Sequence, residues 1–194
     1  MRALLVGDSH MQALGPRLTE LMEPFGVDVV NTLTNAGKST VWYADQQLVE
    51  RAVLTDAPDV VVFVLGGNDQ CWGEVEQERA MRALVAQAAP ARVVWVGPLS
   101  AAVPDVDRRH ACSTSYSRAV ARKLRIPFLD LRRYTPHDMY RDGVHLTAAG
   151  YDQFSLDIAE RLADLIRGRS PGYGFALGAA SMIAAAGIFY AVVR

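Results

Sequence analysis

The sequence predicts an α/β domain built on a parallel sheet with helices over both faces. Three observations lead there. Short apolar runs of β type alternate with longer helical patterns along most of the chain. One run, Val60 to Leu65, is apolar without interruption, as a strand buried on both faces must be. Clusters of small and polar residues follow these runs, at the strand ends where open parallel sheets bind ligands.

Five strands are expected in order: Ala3 to Val6, Val27 to Val30, Val60 to Leu65, Val93 to Val96 and Pro127 to Leu129. Helical patterns fall between them, from about Met11 to Pro24, Tyr43 to Leu54, Glu74 to Ala88 and Asp107 to Leu124. Gly15-Pro16 is expected to interrupt the first of these. Arg132 to His145 carries no periodic pattern and is expected as an irregular loop. Thr147 is a suitable cap for a last helix, Ala148 to Ile166.

The 194 residues are 51% hydrophobic and 21% charged, a globular composition that suits one α/β domain. The net charge of −1 offers no basic field, which argues against a nucleic-acid partner. The two cysteines, Cys71 and Cys112, lack metal-ligand spacing. Two buried thiols are the expected state, with one disulfide as the alternative.

Four clusters carry candidate chemistry: Gly7-Asp8-Ser9-His10, Asn35-Ala36-Gly37, Gly66-Gly67-Asn68-Asp69, and Asp142-Gly143-Val144-His145-Leu146-Thr147. A serine hydroxyl becomes a nucleophile when a base takes its proton, and His145 is of the right type for Ser9. Asp142, three residues earlier, can reach the histidine Nδ1 through a turn and fix its tautomer. A tetrahedral intermediate needs donors at its oxyanion, and Ser9 N–H, Gly37 N–H and the Asn68 amide are three candidates.

The four clusters, in this order, with three at expected strand ends and the fourth before the last helix, resemble the SGNH hydrolases, the superfamily of GDSL esterases and lipases. The resemblance covers roughly residues 1 to 166. It implies a flavodoxin-like three-layer α/β/α fold with a shallow, open site and no metal or organic cofactor. It puts the nucleophile on Ser9, the acid and base on Asp142 and His145, and the oxyanion hole on Ser9, Gly37 and Asn68.

Each residue also has a plainer reading. Ser9 is a good helix cap, Asn68-Asp69 a good turn, and His145 a plausible structural histidine. His10 is either a pocket wall or an exposed side chain at a helix start. Asp8 and Asp69 are expected to accept hydrogen bonds from backbone N–H groups in the turns. Trp42, Tyr43 and Trp72 are either walls of the site or covers of helix starts. His110 and His137 receive no role.

The chain divides at residue 167, after which Gly168, Ser170, Pro171 and Gly172 make a break. From Ser170 to Val193 there is no charged residue and no histidine. As a helix, Tyr173 to Val193 would extend about 31 Å, the thickness of a bilayer core. Arg167, Arg169 and Arg194 flank it, with Tyr173 and Tyr190 near its ends. A membrane anchor is the expectation, and a helix packed in an oligomer or another protein is the alternative. Gly174, Gly178, Ser181 and Ala185 form a small-residue stripe suited to close helix packing. Without an N-terminal signal, the anchor would leave the domain in the cytoplasm, and the flanking arginines agree. A virion component that carries the domain to an envelope is the other setting considered.

The expected activity is carboxylic-ester hydrolysis through an acyl-enzyme. O-Acetyl esters of a carbohydrate or cell-envelope glycan are the favoured substrate. A lipid ester or thioester at a membrane is the enzymatic alternative, and a binding or scaffold protein that retains the fold is the non-enzymatic one.

Overall fold

The computed structural model describes residues 1–168. The expected apolar tail, 173–193, lies outside the described residues. Among those described, no helix is long and apolar enough to cross a membrane.

The apolar runs form strands β1 (Arg2–Gly7), β2 (Asp28–Thr34), β3 (Val60–Val64), β4 (Arg92–Val96) and β5 (Phe128–Leu129). All pair in parallel, in the spatial order β2-β1-β3-β4-β5. The helices are α1 (Ser9–Met22), α2 (Thr40–Asp45), α3 (Leu48–Asp56), α4 (Glu74–Ala88), α5 (Pro104–Leu124) and α6 (Ala148–Ile166). Helices α1 and α6 cover one face of the sheet, and α2 to α5 supply the layer on the other.

The strand pleat sorts the core into those two layers. Leu5, Val62 and Val94 face the α1/α6 side with Leu14, Leu18, Phe154 and Ile158. Leu4, Val61, Phe63 and Trp95 face the other side with Val49, Met81 and Leu84. Phe63 and Trp95 stack there with centroids 5.0 Å apart. All five β3 residues are buried, which is why that strand carries no polar alternation.

The order reverses between β1 and β3: the chain leaves β1 for β2 on one side and returns to β3 on the other. A parallel sheet opens a crevice at the carboxyl ends of such a strand pair. The Gly7 and Gly66 turns both emerge there.

Several boundaries differ from expectation. Helix α1 begins at Ser9 and passes through Gly15-Pro16 unbroken. The single helix expected over 43–54 is two, because Gln46 adopts an extended conformation between α2 and α3. Neither glycine nor proline marks that break. Ser39 caps α2 by accepting from Trp42 N–H, and the buried Asp69 carboxylate accepts from Thr40 N–H at 2.8 Å. The start of α2 is thus set by a contact from β3. Helix α5 begins at Pro104, where a proline costs no hydrogen bond.

The expectation of free thiols is overturned: Cys71 and Cys112 form a disulfide. Folding brings their Cα atoms to 5.8 Å across 41 residues of sequence, within the reach of a bridge. It ties the loop after β3 to α5. Replacing both cysteines by serine should lower stability by about 2–4 kcal/mol, since a long loop regains its entropy on unfolding. Thermal melts of wild type and variant, each with and without reductant, check this. Only the wild type should respond to the reductant.

Candidate functional site

Segments from both ends of the domain meet at the crevice. Ser9 Oγ lies 2.9 Å from His145 Nε2, although 136 residues separate them. His145 Nδ1 lies 3.0 Å from Asp142 Oδ2 and 3.3 Å from Oδ1. The tautomer that donates Nδ1–H to Asp142 leaves Nε2 free to accept from the Ser9 hydroxyl.

The turn that carries Ser9 is shaped by Gly7 and Asp8. A Cβ on Gly7 would fall 2.5 Å from Met11 Cβ and 2.7 Å from the Val64 carbonyl. Only glycine lets β1 end so close to β3. Asp8, not Ser9, caps α1: its Oδ1 accepts from His10 N–H at 3.0 Å. The capping role open to Ser9 is already filled, and its hydroxyl points to His145 instead. Ser9 N–H lies in the first helical turn, whose donors have no acceptor within the helix.

The segment expected as an irregular loop holds a small hairpin. Tyr140 and Leu146 form an antiparallel bridge, and Arg141 N–H donates to the His145 carbonyl at 2.8 Å. Tyr140 Oη donates to the Ser100 carbonyl, and the Gly143 carbonyl accepts from Ala102 N–H at 2.7 Å. Asp142 and His145 are thus presented at the tip of a pinned hairpin. Thr147 caps α6 behind them by accepting from Gly150 N–H.

Asn68 stands at the end of β3. Its Nδ2 donates to Asp8 Oδ2 at 2.9 Å and to the Lys38 carbonyl at 3.3 Å. Gly37 lies in the exposed turn after β2 with φ +71, and no atom within 4 Å would meet a Cβ there. The Lys38 contact brings that turn against Asn68. The three candidate oxyanion positions therefore belong to neighbouring loops over one crevice. Among the described residues, no group of three histidine, cysteine, aspartate or glutamate side chains could hold a metal ion.

A family model described as GDSL-like lipase/acylhydrolase matches residues 5–153. The chain belongs to that family. It is therefore a carboxylic-ester hydrolase. A search of curated proteins found no match. Among solved structures, the Mycobacterium smegmatis aryl esterase is 19% identical with a TM-score of 0.67. That match covers 84% of this chain and 99% of the esterase. An Enterococcus faecalis lipase/acylhydrolase is 20% identical, with 90% and 100% coverage and a TM-score of 0.67. The acetylxylan esterase Axe2 of Geobacillus stearothermophilus is 17% identical, with 90% and 97% coverage and the same TM-score. At these identities the likeness is one of fold.

In this GDSL-like hydrolase, several side chains do more than the sequence indicated. His10 is 3% exposed, so the reading as an exposed helix-start histidine is excluded. Its Nδ1 meets Tyr151 Oη at 2.9 Å. His110 is buried between two carbonyls, with Nδ1 2.7 Å from Leu99 O and Nε2 3.0 Å from Gly67 O. It props the Gly66-Gly67 turn from beneath. No motif marked it, because its partners are backbone atoms from distant segments. His137 is exposed. Trp42 packs on the α2–α5 side of the core with Lys38 Nζ 5.0 Å from its ring centroid, whereas Trp72 is 41% exposed. Tyr43 is buried, and its hydroxyl donates to the Gly7 carbonyl at 2.6 Å.

Asp8 and Asp69 accept from backbone N–H groups as expected, and from side chains as well. Asp69 takes Thr40 N–H, Thr40 Oγ1–H and Ser113 Oγ–H. Burial raises its carboxyl above the usual range. Burial also pushes Asp8 up to about 6, opposed by the hydrogen bond from His10 N–H. Asp142 differs: the His145 backbone N–H, then Arg141 and Val144 N–H, hold it far below the ordinary carboxylate range. It is charged at neutral pH.

A carboxyl with a raised folded pKa binds protons more tightly in the native state, so it withdraws stability as pH rises. For Asp8 the window runs from the ordinary carboxyl value of 3.8 to about 6. The stability of wild type relative to Asp8→Asn should fall across that window by up to about 3 kcal/mol. Denaturant unfolding of both proteins at pH 4, 5, 6 and 7 measures the difference. Parallel curves would show that Asp8 does not titrate there.

Proposed function

We propose that this esterase cleaves short-acyl esters, O-acetyl groups of a carbohydrate or cell-envelope glycan, with Ser9 as nucleophile. The observation that carries the reading is the continuous line from Ser9 Oγ through the His145 ring to Asp142 at hydrogen-bond distances. Ser9 Oγ attacks the ester carbonyl while His145 Nε2 takes the hydroxyl proton. The ionised Asp142 stabilises the imidazolium. The tetrahedral oxyanion is held by the backbone N–H groups of Ser9 and Gly37 and by Asn68 Nδ2. His145 returns the proton to the departing alcohol oxygen. Water then attacks the acyl-Ser9 by the same route, releasing the acid and restoring the hydroxyl.

Asn68 gives this reading a definite detail. Both its amide hydrogens already have protein acceptors. The longer contact, to the Lys38 carbonyl, is the one an oxyanion would replace. The shorter one keeps the amide anchored on Asp8.

Short acyl groups on a sugar suit a site formed by short loops. The fold neighbours described as an acetylxylan esterase and as a carbohydrate acetylesterase support the same class. A lipid ester or thioester is the second reading, favoured by the uncharged stretch 173–193, which would hold the domain at a membrane. That segment is also a possible homo-oligomer contact. The Cys71–Cys112 bridge favours an oxidising side of such a membrane, or a virion, whereas the flanking arginines favour the cytoplasmic side. Thiol alkylation in intact cells, with and without prior reduction, separates the two.

Ser9→Ala should abolish ester turnover while leaving the melting transition in place. Asn68→Ala should lower kcat by about 10²–10³. p-Nitrophenyl esters of increasing chain length, compared with acetylated xylan, read out the substrate class. Acetyl should lead the series, and a maximum at long chains would favour the lipid reading. Full turnover in Ser9→Ala would remove Ser9 as the nucleophile, whereas no turnover by the wild type together with no labelling of Ser9 by a fluorophosphonate would support a binding protein instead.

A further inference from the structure

Two straps join the nucleophile turn to the hairpin that carries the base. The first is the Ser9–His145 hydrogen bond. The second runs from His10, next to Ser9, to Tyr151 in the first turn of α6, just beyond the hairpin. His10 Nδ1 is 2.9 Å from Tyr151 Oη. A hydroxyl both donates and accepts, so it can pair with this ring nitrogen in either neutral tautomer.

The second strap is built from groups that stay neutral. Burial and the nearby His145 and His110 rings press His10 down to about 3. Burial lifts Tyr151 to about 12. The His10 backbone is fixed as well, because its N–H donates to Asp8 Oδ1. Its ring lies against the catalytic imidazole, with centroids 5.1 Å apart and planes inclined by 36°. On its other edge the Gly67 turn approaches so closely that a Cβ there would be 3.7 Å from His10 Cδ2. A cation in this position would oppose the His145 imidazolium that forms during catalysis, whereas a neutral ring does not.

We infer that His10 and Tyr151 are a positioning pair: their hydrogen bond, with the His10 ring packed against His145, sets the approach of Ser9 Oγ to His145 Nε2. The inference rests on the proposed roles of Ser9 and His145. Catalysis is sensitive to such spacing, since a 1 Å displacement of a catalytic group can cost about 10²-fold in rate. Neither residue touches the reacting atoms, so both act through the pair they align.

The test uses the full chain with p-nitrophenyl acetate and four variants, with kcat, KM and the melting transition measured for each. Tyr151→Phe deletes one oxygen and keeps the ring. His10→Leu removes the partner of Tyr151 Oη, and His10→Asn returns a polar atom near the place of Nδ1. Tyr151→Phe and His10→Leu should each lower kcat about tenfold with KM changed less than twofold. His10→Asn should recover most of that loss, and the double variant Tyr151→Phe/His10→Leu should be no slower than the slower single one. Wild-type kcat in Tyr151→Phe, a melting shift without a kcat change, or no recovery in His10→Asn would overturn the inference. Ser9→Ala, assayed in parallel, separates the two levels. If it is inactive while the pair variants turn over normally, only the positioning role falls. If it stays active, the nucleophile assignment falls and the pair has nothing to align.

Discussion

The structure depends on one constraint: the carboxyl ends of β1 and β3 must lie side by side while the chain between them forms β2 on the other side of β1. That reversal creates the crevice, and every candidate site residue reaches it from a strand end or a pinned loop. Gly7 makes the approach of the first two turns sterically possible. The Ser9–His145 contact then joins the two ends of the domain, because His145 arrives on the hairpin before α6, which packs against α1 under the same face of the sheet.

Beneath the crevice lies a layer of buried polar groups that are satisfied by one another. Asp8 caps α1 and anchors Asn68. Asp69 gathers Thr40 and Ser113. His110 bridges Leu99 and Gly67, and His10 reaches Tyr151. Each would be costly to bury alone. Together they hold three loops, the ends of β1 and β3 and the start of α2, in one arrangement before any substrate arrives. The Cys71–Cys112 bridge adds a covalent restraint three residues beyond Asn68. Preorganisation of this kind lets donors aimed at an oxyanion act without reorganising during the reaction.

The two carboxylates nearest the reacting groups are held in opposite electrostatic states for a structural reason. Asp8 is buried with few donors, and its charge is disfavoured. Asp142 sits at an exposed hairpin tip among backbone N–H groups and Arg141, and its charge is favoured. Only the second is suited to face an imidazolium.

Local chemistry was enough to read much of this protein from its sequence. The five strands, the layering and the order of the four clusters follow from period-two and period-3.6 patterning and from turn residues, all of which act over a few neighbours. Ser9, Asn68, Asp142 and His145 were legible because their clusters lie at strand ends and loop turns that the pattern itself marks. The start of α2, the Asp142–His145 hairpin, the disulfide and the burial of His10 and His110 were not. Each is set by a partner tens of residues away: Asp69 for Thr40, Gly143 for Ala102, Cys112 for Cys71, Tyr151 for His10, Gly67 for His110. The sequence alone determined which residue types occupy the strand ends, since those choices answer to local backbone geometry. Only the tertiary structure decided which of them touch, because a hydrogen bond between distant segments depends on where the sheet brings both, and no local pattern encodes that distance.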